Sequence, residues 1–556
     1  MKKIPYGISD YRLLIKDNYY YIDKTMYLEE LENIGRTLVF LRPRRFGKTL
    51  FTSMMGYYYD INSKDKFEEL FKDTYVYDNP TCNKNNYYVL KFDFSSISNY
   101  SELNDIMKSF NSNIVRGITN FLNRYDLSYN IDSSLFPADI LGNFLEYFNG
   151  LKLNNKIYLM IDEYDNFTNG MLKSNDLFKN ILSENGYVRT FYSIIKEYSG
   201  TVIDRTFITG VCSISLDSMS SGFNISTNIS NKKILNSMLG LTHDEVKELI
   251  KELPNKNKTY DLLVSNYDGY LFNGEAKDRV FNSTLVMRFL SNYYEENKIP
   301  DDLFDSNIVS SYDKLKSIVM LNNNNCYLSI IDSLFYNRNI TGTLKNSFNV
   351  NTITTPDDIV SLLYYFGYIT IDKKIDNKLY SFKIPNKMMD LVYNDYYMSL
   401  VINKPLDNNE LSGAIIDIKN KGNISLLCDI VSDIIKNADN RIYNNFNERS
   451  IQLMFYSLLA KYESFDTRFE YPVKDKFIDL MIFKNKDKSN YDIMIEFKYI
   501  KKKEYKRSLL ERLKNTGIEQ LKEYESLLDV SKLNLKKYLV IYVGSEIKRV
   551  FNTFKL

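Results

Sequence analysis

Residues 37–50, TLVFLRPRRFGKTL, constrain the fold more than any other stretch of the chain. The run TLVFL, apolar and β-branched, reads as a short buried strand. It leads into a basic loop, and a helical stretch from Thr49 to Tyr59 follows. A strand feeding a loop that closes on Gly47-Lys48-Thr49 has the makings of a phosphate cradle. Gly47 has no Cβ, so backbone N–H groups can approach phosphate oxygens. Lys48 brings a point charge to β- and γ-phosphates. The Thr49 hydroxyl can ligate Mg²⁺ at a helix start, where the dipole favours anions. Three residues alone match many unrelated chains. The usual pattern also has a glycine five residues before Gly47, where this chain has Arg42.

Three more apolar runs read as buried strands: YYVLKFDF (87–94), KIYLMI (156–161) and TFITGV (206–211). Helical stretches around 103–124 and 174–198 separate them, and such alternation predicts a parallel α/β sheet. The run KIYLMI delivers Asp162 and Glu163 at its C-terminal end. In phosphoryl transfer a strand-end Asp holds Mg²⁺ and an adjacent Glu polarises the attacking water. The last run places Thr209 beside them as a γ-phosphate sensor. A basic surface turn followed by an ordinary acidic strand end is the competing interpretation. Two independent halves in the correct order weigh against it. Arg189 and Arg205 are candidates for an arginine finger, although a structural or solvated arginine is the commoner role.

A chain of 556 residues is too long for one core, so roughly two to four domains are expected. The net charge of +2 gives no global polyanion-binding field, so any basic surface must be local. With His243 as the only histidine, histidine-dependent triads and most zinc sites are excluded as the main chemistry; a capping or solvated role at a helix start suits it better. Cys82, Cys212, Cys326 and Cys428 lie far apart in no ligand spacing, which predicts a reducing compartment without a disulfide framework. The N-terminal MKKIPYGISD has no signal-peptide core, and no run is long enough to span a bilayer. A soluble cytoplasmic protein with no membrane partner is expected.

From about residue 241 the pattern turns helical. LTHDEVKELIKEL reads as a helix with Thr242 and Glu245 as a capping box. Residues 241–400 read as mostly helical and end in a strand-like piece, FGYITIDKK to LYSFKIP, which suits a helical lid and a winged-helix-like unit. Asn322–Asn325 reads as a loop. Beyond about 405, helices over roughly 406–437 and 446–462 precede strands around 469–473, 477–483, 491–498 and 537–543, with a basic helix over 501–528.

Within this last region VKDKFIDLMIFKNKDKSNYDIMIEFKYIKK reads as a hairpin turning at KNKDKSN. Asp479 lies on the first strand. On the second, Ile493, Ile495 and Phe497 face one way and Glu496 and Lys498 the other. Two carboxylates can hold Mg²⁺ against a phosphodiester, and Lys498 can orient the attacking water or stabilise developing charge. Glu448, in NERSIQLMF at a helix start, can complete the metal shell. In a chain this rich in Lys and Glu, a solvated strand face accounts for the spacing equally well. From Lys498 to Lys514 eight Lys or Arg face two Glu, with Tyr499 and Tyr505 interleaved. That segment suits phosphate contact, and a plain solvated helix face is its alternative.

The pieces IPYGISDYRLLI, YYIDKT, RPRRFGKTL, LMIDEYDNF, FITGVCSISLDSMSSGFNIS, YDGYLF, LLYYFGYIT and FKIPN fall in one order over nearly the whole chain. In these the sequence resembles the AAA-ATPase-like family of P-loop proteins that carry a C-terminal PD-(D/E)XK nuclease-like domain. The resemblance implies a working but atypical P-loop in which Pro43 stiffens the turn and Arg44 and Arg45 add charge near the phosphates. It implies ATP contacts through Arg44, Arg45, Phe46, Gly47, Lys48, Thr49, Leu50, Asp162 and Thr209, with Mg²⁺ on Thr49 and Asp162 and Glu163 as a catalytic residue. In the C-terminal domain it implies Glu448, Asp479, Glu496 and Lys498 as the catalytic set, the three carboxylates holding Mg²⁺. Gln520 in GIEQLKEY looks like the family's motif glutamine. Relatives often have Gly-Arg just before the Asp; Lys476 and Phe477 stand there here, which bears on backbone contact with DNA more than on chemistry.

The expectation is an α/β multidomain protein. Residues 1–240 form a P-loop domain with a parallel sheet, 241–404 a helical lid and winged-helix-like region, and 405–556 a restriction-endonuclease-like α/β fold. Its expected function is ATP hydrolysis coupled to Mg²⁺-dependent cleavage of DNA, in defence, mobile-element biology or repair, in a possible homo-oligomer. The alternatives are a nucleotide-controlled switch or scaffold that binds nucleic acid or protein without cutting, and an ATPase whose nuclease-like domain only recognises substrate.

Overall fold

The computed structural model describes residues 2–97, 103–166, 186–213, 224–300, 338–345, 355–402, 406–438, 447–460, 465–474, 476–484, 489–528 and 534–552, with residues 303, 315, 318, 330, 333, 334 and 462. Cys326, the loop Asn322–Asn325, residues 174–185 of the expected helix and most of the hairpin turn, 485–488, lie outside the described residues. The chain divides into two compact units, residues 1–389 and 390–556.

In the first unit β1 (Thr37–Leu41), β2 (Tyr88–Asp93), β3 (Ile157–Asp162), β4 (Ile203–Gly210) and the short β5 (Thr227–Asn228) form a sheet in the order β2-β3-β4-β1-β5. All its pairings are parallel. β1 and β3 are buried along their whole length, as strands covered on both faces must be. Because β4 lies between them, the C-terminal ends of β1, β4 and β3 stand side by side. That edge carries the phosphate-loop candidate, Thr209 and Asp162. Helix Lys48–Tyr59 packs on β2 and β3, and helix Leu103–Tyr125 packs on β2.

Helix His243–Leu249 opens with the capping box expected from Thr242 and Glu245. His243 is its first residue; its Nδ1 lies 2.7 Å from the Tyr260 hydroxyl and its Nε2 3.3 Å from Asp268 Oδ2. A small antiparallel sheet, β6 (Asn339–Thr343), β7 (Thr370–Lys374) and β8 (Leu379–Lys383), in the order β6-β8-β7, closes this unit. The helix Pro356–Tyr365 packs against β6.

In the second unit β9 (Phe465–Val473), β10 (Lys476–Lys484), β11 (Asp492–Ile500), β12 (Leu535–Val543) and β13 (Glu546–Asn552) form a mixed sheet in the order β13-β12-β11-β10-β9. Only β11–β12 is parallel, and helix Arg507–Leu527 makes that crossover. Helix Glu448–Leu459 packs on β9 to β11 and helix Arg507–Leu527 on β11 and β12. The expected helical stretch 406–437 is two helices, Asn408–Lys421 and Ser425–Asn437. Gly422 breaks it: its φ of 63° is left-handed, and its N–H returns to the carbonyls of Asp417 and Ile418. Among the described residues Cys82, Cys212 and Cys428 are free, and no helix is long and apolar enough to cross a membrane.

Candidate functional site

The first site forms where β1 runs out. Gly47, at φ 92° and ψ 20°, caps helix Lys48–Tyr59 in a left-handed conformation that other residues adopt only with strain. The loop Arg44–Leu50 lines a cleft of about 680 Å³, within the range of small-molecule sites. Lys48 is buried, and its ammonium donates to the carbonyls of Arg42 (2.9 Å) and Pro43 (3.0 Å). Burial lowers its pKa, while the carboxylates of Asp162, Glu163 and Asp165 hold it up. The acidic strand end therefore faces the loop lysine.

Asp162 is 1% exposed; its Oδ1 accepts from the Thr209 hydroxyl and from the Glu163 N–H, and its Oδ2 is buried with no hydrogen-bond partner. Thr209 thus orients Asp162. Glu163 lines the cleft, and burial raises its pKa against the pull of Lys48. Phe46 is buried, with its ring edge-on to Tyr270 and Phe272. Arg44 is exposed, 3.4 Å from Asn166 Oδ1. Arg205 donates to the Gly35 carbonyl at 3.1 Å, which gives it a structural use.

Arg42 answers the question of the missing glycine. Its side chain does not serve the cleft: it is 1% exposed, stacked between Phe40 and Phe272 with its guanidinium carbon 4.3 and 4.0 Å from the ring centres. It donates to the carbonyls of Leu41 (2.9 Å), Ser230 (2.7 Å) and Leu235 (2.8 Å). Burial pushes its pKa down to about 9. It ties the end of β1 to the chain after β5. Replacing it with alanine should destabilise this unit by about 3–5 kcal/mol, because three carbonyls lose their donor and a gap opens between two rings. Arg42→Lys should recover little, since an ammonium has no planar fork. Urea unfolding of the variants checks this, and a loss below about 1 kcal/mol would refute it.

Sequence reasoning missed how much of the cleft comes from distant segments. Tyr20, Tyr21 and Ile22 line it from before β1, and Phe366, Gly367 and Tyr368 from just before β7. The N-terminus of helix Ser283–Glu296 closes on the loop: Thr284 N–H and the Ser283 hydroxyl both donate to the Arg45 carbonyl, at 3.1 and 3.2 Å. Asp165 was also missed. It accepts from the N–H groups of Val211 and Cys212 and so fixes the end of β4.

The second site sits on β11, a central strand buried on both faces. Glu496 and Lys498 are 1% and 8% exposed, a costly place for charges that serve no purpose. Lys498 Nζ lies 2.8 Å from Glu496 Oε1 and 3.5 Å from Glu448 Oε1. Asp479 accepts from the Phe497 N–H at 2.7 Å, across the hairpin. Glu448 is the first residue of its helix, behind an Asn447 cap. Gln520 is placed on helix Arg507–Leu527, with its amide nitrogen 3.5 Å from the Tyr524 hydroxyl.

The electrostatics of this cluster are lopsided. Burial raises the pKa of Asp479 and Glu448, and Lys498 counteracts it in both. Glu496 is pushed up to about 8 by burial and by Asp479. Burial works against the Lys498 charge, but Glu496 and Glu448 outweigh it and hold the ammonium above its usual range. Three carboxyls around one lysine leave an excess of negative charge. Two residues join the set unforeseen: Gln452, whose buried side chain hydrogen-bonds Asp479, and Tyr524, whose pKa is raised to about 12 by burial and the fields of Glu496 and Asp479. A lone amide in the apolar helix SIQLMFYSLL was the visible sign of the first.

Two family models match the chain. Residues 5–220 match the one described as a predicted AAA-ATPase, and residues 446–552 match the PD-(D/E)XK nuclease superfamily. The chain joins an AAA-ATPase-like domain to a PD-(D/E)XK-superfamily domain. An uncharacterized protein in the vnfD 5′ region of Azotobacter chroococcum mcd 1 is 24% identical over 376 residues, 66% of this chain and 64% of that protein. The aligned part is thus less than two thirds of the relative's length. Among solved structures, the Aeropyrum pernix ORC2 protein, solved in ADPNP–ADP complexes, aligns over 70% of this chain and 97% of its own, with 12% identity and a TM-score of 0.28.

AAA-ATPase-like and PD-(D/E)XK domains imply Mg²⁺, and the residues present fit it. Among the described residues no three acidic, histidine or cysteine side chains form a ready-made cage. Mg²⁺ does not require one, because it binds through one or two carboxylates together with water and substrate phosphate. Glu496 Oε2 and Asp162 Oδ2 are each buried and unpartnered, as an acceptor reserved for a cation would be. Burial and Asp479 push the Glu496 carboxyl up to about 8, which favours its protonated form near neutral pH when no cation is bound. A cation displaces that proton, so Mg²⁺ affinity at this site is expected to rise with pH to about 8 and level off above it. Calorimetry at pH 7 in buffers of different ionisation enthalpy should show protons released as the ion binds. An affinity independent of pH would refute the assignment.

Proposed function

We propose that the protein binds and hydrolyses Mg²⁺·ATP in its AAA-ATPase-like domain and uses its PD-(D/E)XK domain to cut DNA. The observation that carries this reading is the pair Glu496 and Lys498 buried on β11, with the half-buried Asp479 on β10 and Glu448 beside them. A fold that only displayed a surface would not keep two ionisable side chains in its sheet interior.

In the ATP site the N–H groups after Gly47, with Lys48, would grip the phosphates, Arg44 and Arg45 would add charge at the cleft mouth, and Phe46 and Leu50 would shape the loop. Thr49 and Asp162 would hold the ion, Thr209 would fix Asp162, and Glu163, which faces the cleft, would take the proton of the attacking water. Its raised pKa suits a base working near neutral pH. In the nuclease site Asp479 and Glu496 would hold Mg²⁺, with Glu448 placed to complete its shell through water, and the ion would supply polarisation of the phosphate and a more acidic water. Lys498, kept charged by two carboxylates, would orient the nucleophile or steady the developing negative charge, and Gln520 with Tyr524 would position it. The exposed run 502–508, with Lys502, Lys503, Lys506 and Arg507, would contact the DNA backbone beside the site. In this reading residues 241–404 relay the nucleotide state.

Incubating supercoiled plasmid with the protein, Mg²⁺ and ATP tests it. Nicking or linearisation that disappears in Glu496→Ala supports cleavage at this site. ATP turnover with an intact plasmid under every condition would instead support a nucleotide-controlled binding protein.

A further inference from the structure

A second cavity, of about 440 Å³, lies in the first unit beside the ATP cleft. Its floor is the alternate residues Val89, Lys91 and Asp93 of the edge strand β2. One wall is helix Lys48–Tyr59, through Thr52, Ser53, Gly56 and Tyr57; the other is helix Leu103–Tyr125, through residues at three- and four-residue spacing. Two helices packed beside the edge of a sheet would ordinarily fill such a gap with apolar side chains. Here hydroxyls and amides line much of it, with the cations Lys91, Arg116 and Arg124 and the carboxylates Asp10 and Asp93.

The charges are unevenly satisfied. Arg124 is paired with Asp60. Asp10 accepts from the Leu13 N–H at 2.9 Å and from the Tyr57 hydroxyl at 3.2 Å, and Asp93 accepts from the Ser95 N–H at 2.9 Å. The ammonium of Lys91, half-buried on the floor, has no hydrogen bond or ion pair among the described residues. Arg116 donates a single long bond, 3.5 Å, to the Ser96 hydroxyl. Two cations without carboxylate partners therefore face a cavity large enough for a small ligand and rich in hydroxyl and amide groups.

We propose that this cavity is a second ligand site, adjoining the ATP cleft at Ser95, which takes a phosphate monoester on a polar body, with Lys91 and Arg116 as its phosphate contacts. A guanidinium and an ammonium are the usual partners of phosphate oxygens. Asn120, Ser53 and Ser95 offer the sugar its hydrogen-bond partners, and Tyr57 and Phe121 offer a flat surface to a base.

The test is calorimetric titration of the full-length Lys48→Ala protein, whose phosphate loop is disabled, with AMP, ribose 5-phosphate, inorganic phosphate and succinate. Saturable binding of AMP or ribose 5-phosphate is expected, and which of the two binds tighter distinguishes a nucleotide from a sugar phosphate. Adding Lys91→Gln and Arg116→Gln should weaken it by roughly tenfold or more, as loss of charge-assisted bonds requires. The same two substitutions in the protein with Lys48 intact should leave its melting temperature and ATP affinity unchanged, which separates lost binding from lost folding. No binding of either phosphate ester, binding indifferent to the two substitutions, or binding of succinate alone would overturn the proposal.

Discussion

Lys48→Ala should lower the affinity for Mg²⁺·ATP by about two orders of magnitude or more while leaving the melting temperature within a few degrees of the parent. Two charge-assisted hydrogen bonds from one ammonium to phosphate are together worth about 3–6 kcal/mol, and each 1.4 kcal/mol is tenfold. The ammonium is buried beside the cleft, and it rests on the Arg42 and Pro43 carbonyls, from which phosphate oxygens can draw it away. Stability should change little because burial already disfavours the charge, so its removal relieves a cost as it forfeits two bonds. Arg44→Ala should cost much less, about tenfold at low salt and little at high salt, because Arg44 is exposed and screened. Fluorescent-nucleotide titration distinguishes the two. Equal losses, or an unchanged affinity for Lys48→Ala, would remove the loop from the nucleotide site.

The difference between Arg42 and Arg44 was not legible in the sequence. RPRRFGKT reads as a uniformly basic loop, yet Arg42 turns into the core while Arg44 faces water. What decides this is the carbonyls of Ser230 and Leu235 and the ring of Phe272, nearly two hundred residues or more away in the chain. Local pattern cannot specify partners that only the fold brings together. The parts that were legible are those set by short-range physics. The apolar runs became β1 to β4 within a few residues of their expected bounds, because a strand covered on both faces must be apolar throughout. The Thr242–Glu245 capping box formed because its partners are three residues apart. Alternation along β11 put Glu496 and Lys498 on one face, where their charged ends meet at 2.8 Å. The expected helix 406–437 broke because one left-handed glycine outweighs the helical periodicity around it. The cleft walls from residues 20–22 and 366–368 carry no local mark of their shared destination.

Glu496→Ala should reduce DNA cleavage by about three orders of magnitude or more, the largest effect expected of any single substitution in this chain. The carboxylate occupies the most enclosed position of the cluster, with one oxygen on the Lys498 ammonium and the other unpartnered. Its loss removes a ligand for the ion and the partner that keeps Lys498 charged. Because such residues act as a unit, Lys498→Ala and the double variant should lose nearly as much as Glu496→Ala alone. Glu496→Gln separates charge from shape. It keeps the volume and a hydrogen bond near Lys498, and cleavage should still fall by at least about a hundredfold if the negative charge is what matters. Tyr524→Phe, which removes only a hydroxyl near the field of Glu496 and Asp479, should cost about tenfold or less. ATP turnover should persist in all five variants, since none of these residues belongs to the first unit. Initial rates of plasmid nicking at saturating Mg²⁺ measure the series. If Glu496→Gln cut at the parental rate, the buried carboxylate would be structural, and the chemistry of this domain would have to be sought elsewhere on its surface.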